Sequence, residues 1–182
     1  MARPKLYQPF AGVVAPENML FQYLDTDGDG GGTKDATGNY SDAGLGATYF
    51  YIEAPAGRVY SLERMIVKIR GSTSGLSADD YGNIPALTSG ILAHVRDPDG
   101  NVILDLTDGL PIKLNADWNR LCYDSGPIAY GAGDNFVVTR WTFARSGNPI
   151  VLEPGYSFGM LMHDNMSSLN GHFFHVQGSK SS

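Results

Sequence analysis

The residues with the clearest spacing for chemistry lie in an aspartate- and glycine-rich stretch that begins at Asp25. Asp25, Asp27 and Asp29 stand at alternate positions, and Gly30 follows them. Carboxylates at positions 1, 3 and 5 with glycine at position 6 form the first half of a calcium loop, in which the glycine allows a sharp turn. The pattern makes these three aspartates candidate calcium ligands.

The second half of that calcium motif is missing. Its twelfth position holds Ala36 instead of the bidentate glutamate, and no helical pattern flanks the stretch. Asp35 or Asp42 could supply further oxygens if the segment folds back on itself. The better-supported interpretation is a solvated acidic loop over residues 25–46, so no cofactor is assigned and calcium stays an open alternative.

Four histidines are the other candidate metal ligands: His94, His163, His172 and His175. His172 and His175 are three residues apart, so on a strand they face opposite sides of the sheet. His163 could approach His172 across a hairpin and, with Asp164, form a small metal site. The alternative, which we favour, is that the histidines are surface or interface side chains.

Catalytic motifs are missing from the sequence. It has no Gly-x-Ser-x-Gly elbow, no phosphate loop and no His-Glu-x-x-His. Tyr, Trp and Phe make up 11% of the chain, which is enough to line a sugar site, but a core or an interface explains them better. We therefore assign no catalytic residue and predict a protein that is not an enzyme.

Length and composition indicate a single globular domain of 182 residues, 42% of them hydrophobic. The net charge of -6 argues against a general nucleic-acid binder, although basic residues cluster over 58–70 and at Arg140 and Arg145. The single cysteine, Cys122, excludes an intrachain disulfide and is expected in the core. No signal peptide or membrane-length apolar run is visible, so we expect a soluble protein made in a cytoplasm, without membrane or nucleic-acid partners.

The elements that must position these residues are strands. Residues 47–70 predict a central β-hairpin around the turn Ala54–Gly57, and the change of apolar parity near Glu63 and Arg64 predicts a β-bulge. Asp97–Gly100 predicts a second hairpin turn, followed by a strand with Val102, Leu104 and Leu106 on one face. Further strands are predicted over the following ranges: 18–24, 88–96, 111–115, 135–143, 150–152, 156–163 and 172–177.

About nine short strands without a long amphipathic helix predict an all-β fold, either a sandwich or a barrel. Residues 1–17 hold three prolines and predict an extended N-terminal arm. Residues 18–178 then form the β-sandwich domain, and 179–182 are expected to be a flexible tail. A helical turn is possible around Trp118, because Asn115 can cap it.

Two stretches taken together resemble small virion structural proteins of tailed bacteriophages. The first is 51–69, with its Pro55-Ala56-Gly57 turn and Arg64-Met65 step. The second is 142–178, TFARSGNPIVLEPGYSFGMLMHDNMSSLNGHFFHVQG. From the start of the first stretch to the end of the second, residues 51–178, the resemblance spans about two thirds of the chain. The acidic loop departs from the pattern of the group.

The resemblance implies a single-domain jelly-roll-like β-sandwich that acts as a capsid decoration (cement) protein. Its expected partners are the major capsid protein and further copies of itself, with a trimer expected by analogy. The arm Ala2–Phe10 and the loop after the first strand are the candidate contact elements, and the virion surface is the expected location. Two alternatives remain: a neck or tail component, and a carbohydrate-binding jelly-roll module that uses calcium at Asp25, Asp27 and Asp29.

Overall fold

The part of the chain that the computed structural model describes consists of residues 16–24, 48–71, 81, 84, 86–114, 117, 127–130, 136–143 and 149–182. The predictions for most of the N-terminal arm, for Cys122 and for the turn around Trp118 concern residues outside these ranges.

The described residues form ten strands and one short 3-10 turn at Pro16–Asn18. The strands are β1 Met19–Tyr23, β2 Thr48–Glu53, β3 Val59–Gly71, β4 Ile91–Arg96, β5 Val102–Asp105, β6 Pro127–Tyr130, β7 Phe136–Thr142, β8 Ile150–Leu152, β9 Ser157–Met162 and β10 Leu169–Ser181.

The strands build two antiparallel sheets. The larger sheet has six strands in the order β1-β10-β3-β7-β6, and β8 pairs with the first part of β3. The smaller sheet has four strands in the order β2-β9-β4-β5. The fold is therefore all-β with the character of a β-sandwich, as the strand spacing predicts.

The core lies between the two sheets. On β3, Met65, Val67 and Ile69 are fully buried, which is the period-2 alternation of a strand with one face on the core. Across the sandwich, the ring of Phe50 on β2 lies 6.1 Å from that of Phe174 on β10. Burying one such side chain is worth roughly 1.5–3 kcal/mol, so this layer of contacts joins the sheets.

The predicted bulge in β3 is confirmed. Gln177 of β10 pairs with Arg64 and the next residue, Gly178, pairs with Leu62, so Glu63 is the extra residue. The bulge explains the change of parity, because both Leu62 before it and Met65 after it face the core.

The predicted hairpin over 47–70 is wrong. β2 pairs with β9 in the smaller sheet, whereas β3 pairs with β10, β7 and β8 in the larger one. The turn at Pro55–Arg58, closed by a hydrogen bond from the Arg58 N–H to the Pro55 carbonyl, carries the chain from one sheet to the other. Proline and glycine indicate where a chain reverses direction but not which strand pairs with which.

Three smaller differences concern strand extent. β6 was not predicted. The expected strand 111–115 is reduced to one bridge between Ile112 and Ile91. β10 continues to Ser181, so Ser179, Lys180 and Ser181, which the sequence assigns to a flexible tail, pair with the start of β3.

Candidate functional site

The sequence-predicted calcium ligands Asp25, Asp27 and Asp29 lie outside the described residues. Calcium binding there stays a prediction. Within the described ranges, no three His, Cys, Asp or Glu side chains are placed to hold a metal ion together.

The histidines are placed only partly as predicted. His172 and His175 face opposite sides of β10, as their spacing predicts. The expectation of surface side chains is wrong for His172, which is fully buried, and for His94, which is 7% exposed. The Nε2 atom of His172 lies 2.5 Å from the Tyr81 hydroxyl.

The Tyr81–His172 pair is a neutral hydrogen-bonded pair inside the core. Burial lowers the pKa of His172 to about 3 and raises that of Tyr81 well above its ordinary value, with a further increase from the nearby Asp164 carboxylate. Neither group is charged near neutral pH. The pair therefore fits a structural role better than that of an accessible acid or base.

The buried carboxylate of Asp164 holds the loop before β4. It accepts hydrogen bonds from the backbone N–H groups of Thr88, Ser89 and Gly90 at 2.6, 2.9 and 2.6 Å. Gly90 has φ +83°, and a Cβ there would collide with Pro111 and Ile112. Three charge-assisted hydrogen bonds satisfy this carboxylate within the fold, so it serves structure.

An exposed apolar surface lies around β5. We call it the β5 patch, and its five large apolar side chains are each between 48% and 60% exposed: Val102, Ile103, Leu104, Leu110 and Val151. A groove of about 410 Å³ runs beside it and is lined by Ile103, Leu104, Leu106, Phe143, Ile150 and Val151. Such an exposed apolar cluster is typical of an interaction site.

The β5 patch corrects a sequence prediction. Alternation predicts that Val102 and Leu104 lie on one face of β5, but Ile103 is an extra residue in the pairing: Leu104 pairs with Val95 and Val102 pairs with Arg96, so the two side chains face opposite sides of the sheet. All three are exposed. β5 is the edge strand of the smaller sheet and pairs only with β4, with a register shift between Val95 and Arg96. An edge position leaves these side chains without the cover that an inner strand receives.

Carboxylates flank β5 at both of its ends. Asp97 and Asp99 lie in the β4–β5 turn, and Asp105 and Asp108 lie at the other end of β5; the nearby cations are Arg96 and Lys113. Hydrogen bonds from Asn101 and the turn backbone hold the pKa of Asp97 below its usual value. Burial raises the pKa of Asp105, but hydrogen bonds from Thr107 and Gly109 outweigh it and leave the pKa lowered. The patch is thus apolar, with acidic groups at both ends of β5 at neutral pH.

The outer face of the larger sheet has the opposite charge. β1, β3, β7 and β10 carry five Lys or Arg residues and one carboxylate, Glu63, in a chain with more acidic than basic residues. The five cations are Arg64, Lys68, Arg70, Arg140 and Lys180. Lys180 pairs with the core residue Tyr60 and does not belong to the outer face. We call the outer surface around Arg64, Lys68 and Arg70 the basic face.

Aromatic rings lie on the same basic face. The ring of Tyr23 stacks on His175 with centroids 4.7 Å apart, and Phe21 meets the same imidazole edge-on at 3.8 Å. Phe21 is 66% exposed. A shallow groove of about 220 Å³ beside them is lined by Tyr23, Ile66, Lys68, Val138, Phe173 and His175. Arginine and aromatic side chains together are typical of protein interfaces.

The sequence held part of this signal. The basic cluster over 58–70 is visible in the sequence, and period-2 alternation places Arg64, Lys68 and Arg70 on one face once the bulge is known. These cations lie on the same face as the aromatic residues of β1 because β10 pairs with both β1 and β3. No local sequence pattern reveals that pairing.

Comparisons with protein-family models, with curated proteins and with solved structures found no match. Among the residues that the structure describes, no helix has the length and apolar character of a membrane-spanning segment.

Proposed function

We propose that this chain is a non-enzymatic virion structural protein of a tailed bacteriophage, a capsid decoration protein that stabilises the shell by protein–protein contact. The observation that carries the proposal is the β5 patch, in which five large apolar side chains are about half exposed. Large apolar side chains exposed on a folded domain cost free energy in water unless a partner covers them, and Ile103, Leu104 and Val151 line one groove.

The described polar groups support binding rather than catalysis. Asp164 is satisfied by three backbone N–H groups, and His172 is buried against Tyr81. An active site needs an accessible group whose protonation changes near the working pH. Contact surfaces are therefore the better-supported functional feature of the described residues.

The finer parts of the proposal come from the resemblance to virion proteins. These are a jelly-roll-like strand order, the major capsid protein as partner, a location on the virion surface after synthesis in the bacterial cytoplasm, and contacts through the arm Ala2–Phe10. The sandwich is compatible with all of them, because it offers both an apolar and a charged surface.

The test is the copy number of the chain in purified virions, measured by quantitative mass spectrometry against the major capsid protein. A ratio near one to one, or a simple lattice fraction of it, is the expected result. About a dozen copies or fewer would move the protein to the neck or tail, and absence from particles would refute a virion role.

A second experiment tests whether the chain binds particles through the β5 patch. Particles stripped of the protein are incubated with the wild-type chain or with Ile103→Asp, and the bound fraction is measured after sedimentation. We expect Ile103→Asp to lose binding, whereas Arg58→Glu, an exposed change in the turn between β2 and β3, retains it. Equal binding by all three chains would remove the β5 patch from the proposal.

A further inference from the structure

We propose that the chain assembles with itself head to tail, the β5 patch of one copy docking on the basic face of the next. The inference rests on the proposed function only for the use of the assembly, because self-association is a property of the free chain. It specifies which two surfaces meet, where the resemblance gives only an expectation of a trimer. The two contacts use the same β5 patch, so a capsid subunit and a second copy compete for it.

The first argument is charge complementarity. The outer face of the larger sheet carries four cations, Arg64, Lys68, Arg70 and Arg140, while four aspartates and two cations flank β5 in the chain. Arg64 and Arg70 are exposed on one surface, and Asp99 and Asp108 are exposed on the other. Opposite electrostatic potentials favour docking of the basic face on the β5 patch and disfavour contacts between two basic faces or between two β5 patches.

The second argument is that both surfaces carry exposed apolar side chains next to their charges. The β5 patch presents Val102, Ile103 and Leu104, and the basic face presents Phe21 beside the groove at Ile66. Apolar and aromatic side chains surrounded by charged ones are the usual arrangement of a specific protein interface. Each surface can supply the cover that the other lacks.

A second copy explains the basic face better than a nucleic acid does. Sheets that bind single strands offer rings on which bases stack. Here Tyr23 already stacks on His175, and Phe21 is in contact with the same ring. The whole chain also carries a net charge of -6, which repels a polyanion beyond the basic face but supplies the acidic partner surface when the ligand is another copy.

The two surfaces consist of different residues and, apart from Val151 on β8, belong to different sheets, so their contact is heterologous. A heterologous contact closes into a ring when the rotation between copies allows it, and otherwise continues as a filament. A ring of three copies satisfies both surfaces on every chain, which a two-fold dimer through this contact does not.

The test measures the mass of the free full-length chain by light scattering after size exclusion. The wild type is expected to be larger than one 19.6 kDa chain at low salt and to dissociate toward it as salt rises from about 0.1 M to about 1 M, over which the screening length falls from about 10 Å to about 3 Å. A wild type that is monomeric at all salt concentrations overturns the proposal.

Two variants that each keep one surface intact make the test specific. Arg64→Glu combined with Arg70→Glu inactivates the basic face, and Ile103→Asp inactivates the β5 patch. Each variant alone is expected to be monomeric. An equimolar mixture is expected to give a dimer and nothing larger, because only one productive contact remains. All three changed positions are exposed, and circular dichroism melting confirms that both variants fold.

Arg58→Glu is the matched control, an exposed charge reversal outside both surfaces, and it is expected to associate like the wild type. Variants that keep wild-type mass, or a mixture that stays monomeric, overturn the proposal.

A nucleic-acid role is tested with a single-stranded oligonucleotide. If the wild type is monomeric and binds it, and the Arg64→Glu, Arg70→Glu chain does not, the basic face is reassigned to nucleic acid. Particle binding is measured separately, so its failure refutes the virion role without changing these results.

Discussion

The buried carboxylate of Asp164 shows how a single side chain fixes a loop in this protein. Its two oxygens accept hydrogen bonds from three backbone N–H groups of the residues just before β4. These N–H groups are therefore paired without a neighbouring strand. The sequence indicated Asp164 only as a possible companion of His163 in a metal site. Its partners are more than seventy residues away in the chain, which is why no local pattern could identify them.

Asp164→Asn is expected to lower the free energy of unfolding by about 1.5–3 kcal/mol, the range for hydrogen bonds to a charged group. The amide replaces one acceptor oxygen by a donor, which leaves at least one of the three N–H groups unpaired. Urea unfolding measures the loss. Asp99→Asn makes the same chemical change on an exposed turn and should stay within about 0.5 kcal/mol of the wild type; equal effects at both positions would contradict the role of Asp164.

His172 gives the protein a built-in sensitivity to acid. Its pKa is about 3 in the folded chain and near the ordinary 6.5 when unfolded, because burial disfavours the charged ring. Between these values the unfolded state binds one more proton than the folded state. The stability from this group is therefore full above about pH 6.5 and is lost as the pH falls toward 3.

The free energy of unfolding should fall by about 1.4 kcal/mol per pH unit from this site between about pH 6 and 4. Burial lowers the pKa of His94 and His175 too, and these groups add to the slope with the same sign. His172→Gln keeps a polar partner for Tyr81 but does not titrate, so its denaturation midpoints should depend less on pH. An unchanged slope in that variant would show that His172 does not govern the acid response.

At the scale of the elements, local patterns predicted strands well and their partners poorly. The parity change at Glu63 located a real bulge, because side-chain direction along a strand depends only on position. The turn after β2 was equally visible, but it joins two sheets instead of two neighbours. The predicted shared face of Val102 and Leu104 failed because the pairing of β5 with β4 contains an extra residue, Ile103, that the sequence pattern does not indicate.

β9 shows how closely the strands of the smaller sheet approach. It lies between β2 and β4, where Gly159 pairs with Tyr51 on one side and His94 on the other. A Cβ at Gly159 would collide with the backbone carbonyl of Phe50 and the ring of Tyr49. Glycine is therefore required at this position because a side chain has no room there. Backbone conformation does not require it, because the φ of Gly159 is not in the left-handed region.

Gly159→Ala is expected to destabilise the fold by about 1–3 kcal/mol, the usual cost of adding a methyl group to a packed site. Thermal unfolding with circular dichroism measures the loss. The Phe50 carbonyl belongs to the backbone of β2 and cannot rotate away, so the strand itself must move. A melting temperature equal to that of the wild type would mean that β2 and β9 are less tightly paired than described.

At the scale of the whole molecule, the separation of charge is the property that composition conceals. A net charge of -6 predicts a uniformly acidic protein, yet the strands of the basic face carry an excess of cations. The three cations of β3 are visible in the sequence, but their combination with Arg140 on β7 and the aromatic residues of β1 depends on strand pairing that no local pattern reveals. The fold class followed from the sequence, whereas the two surfaces followed from the topology.

The position of β10 also determines the order in which the chain can fold while it is being synthesised. β1 is the first described strand to leave the ribosome, but its strand partner is β10, and residues 24–168 are translated between them. At roughly 5–20 residues per second, this interval lasts on the order of 7–30 s. During it, β1 lacks the strand that pairs with its backbone and lies beside Leu20 and Leu24. The nascent chain therefore passes through a period in which an unpaired apolar strand is open to aggregation, and slower translation lengthens that period.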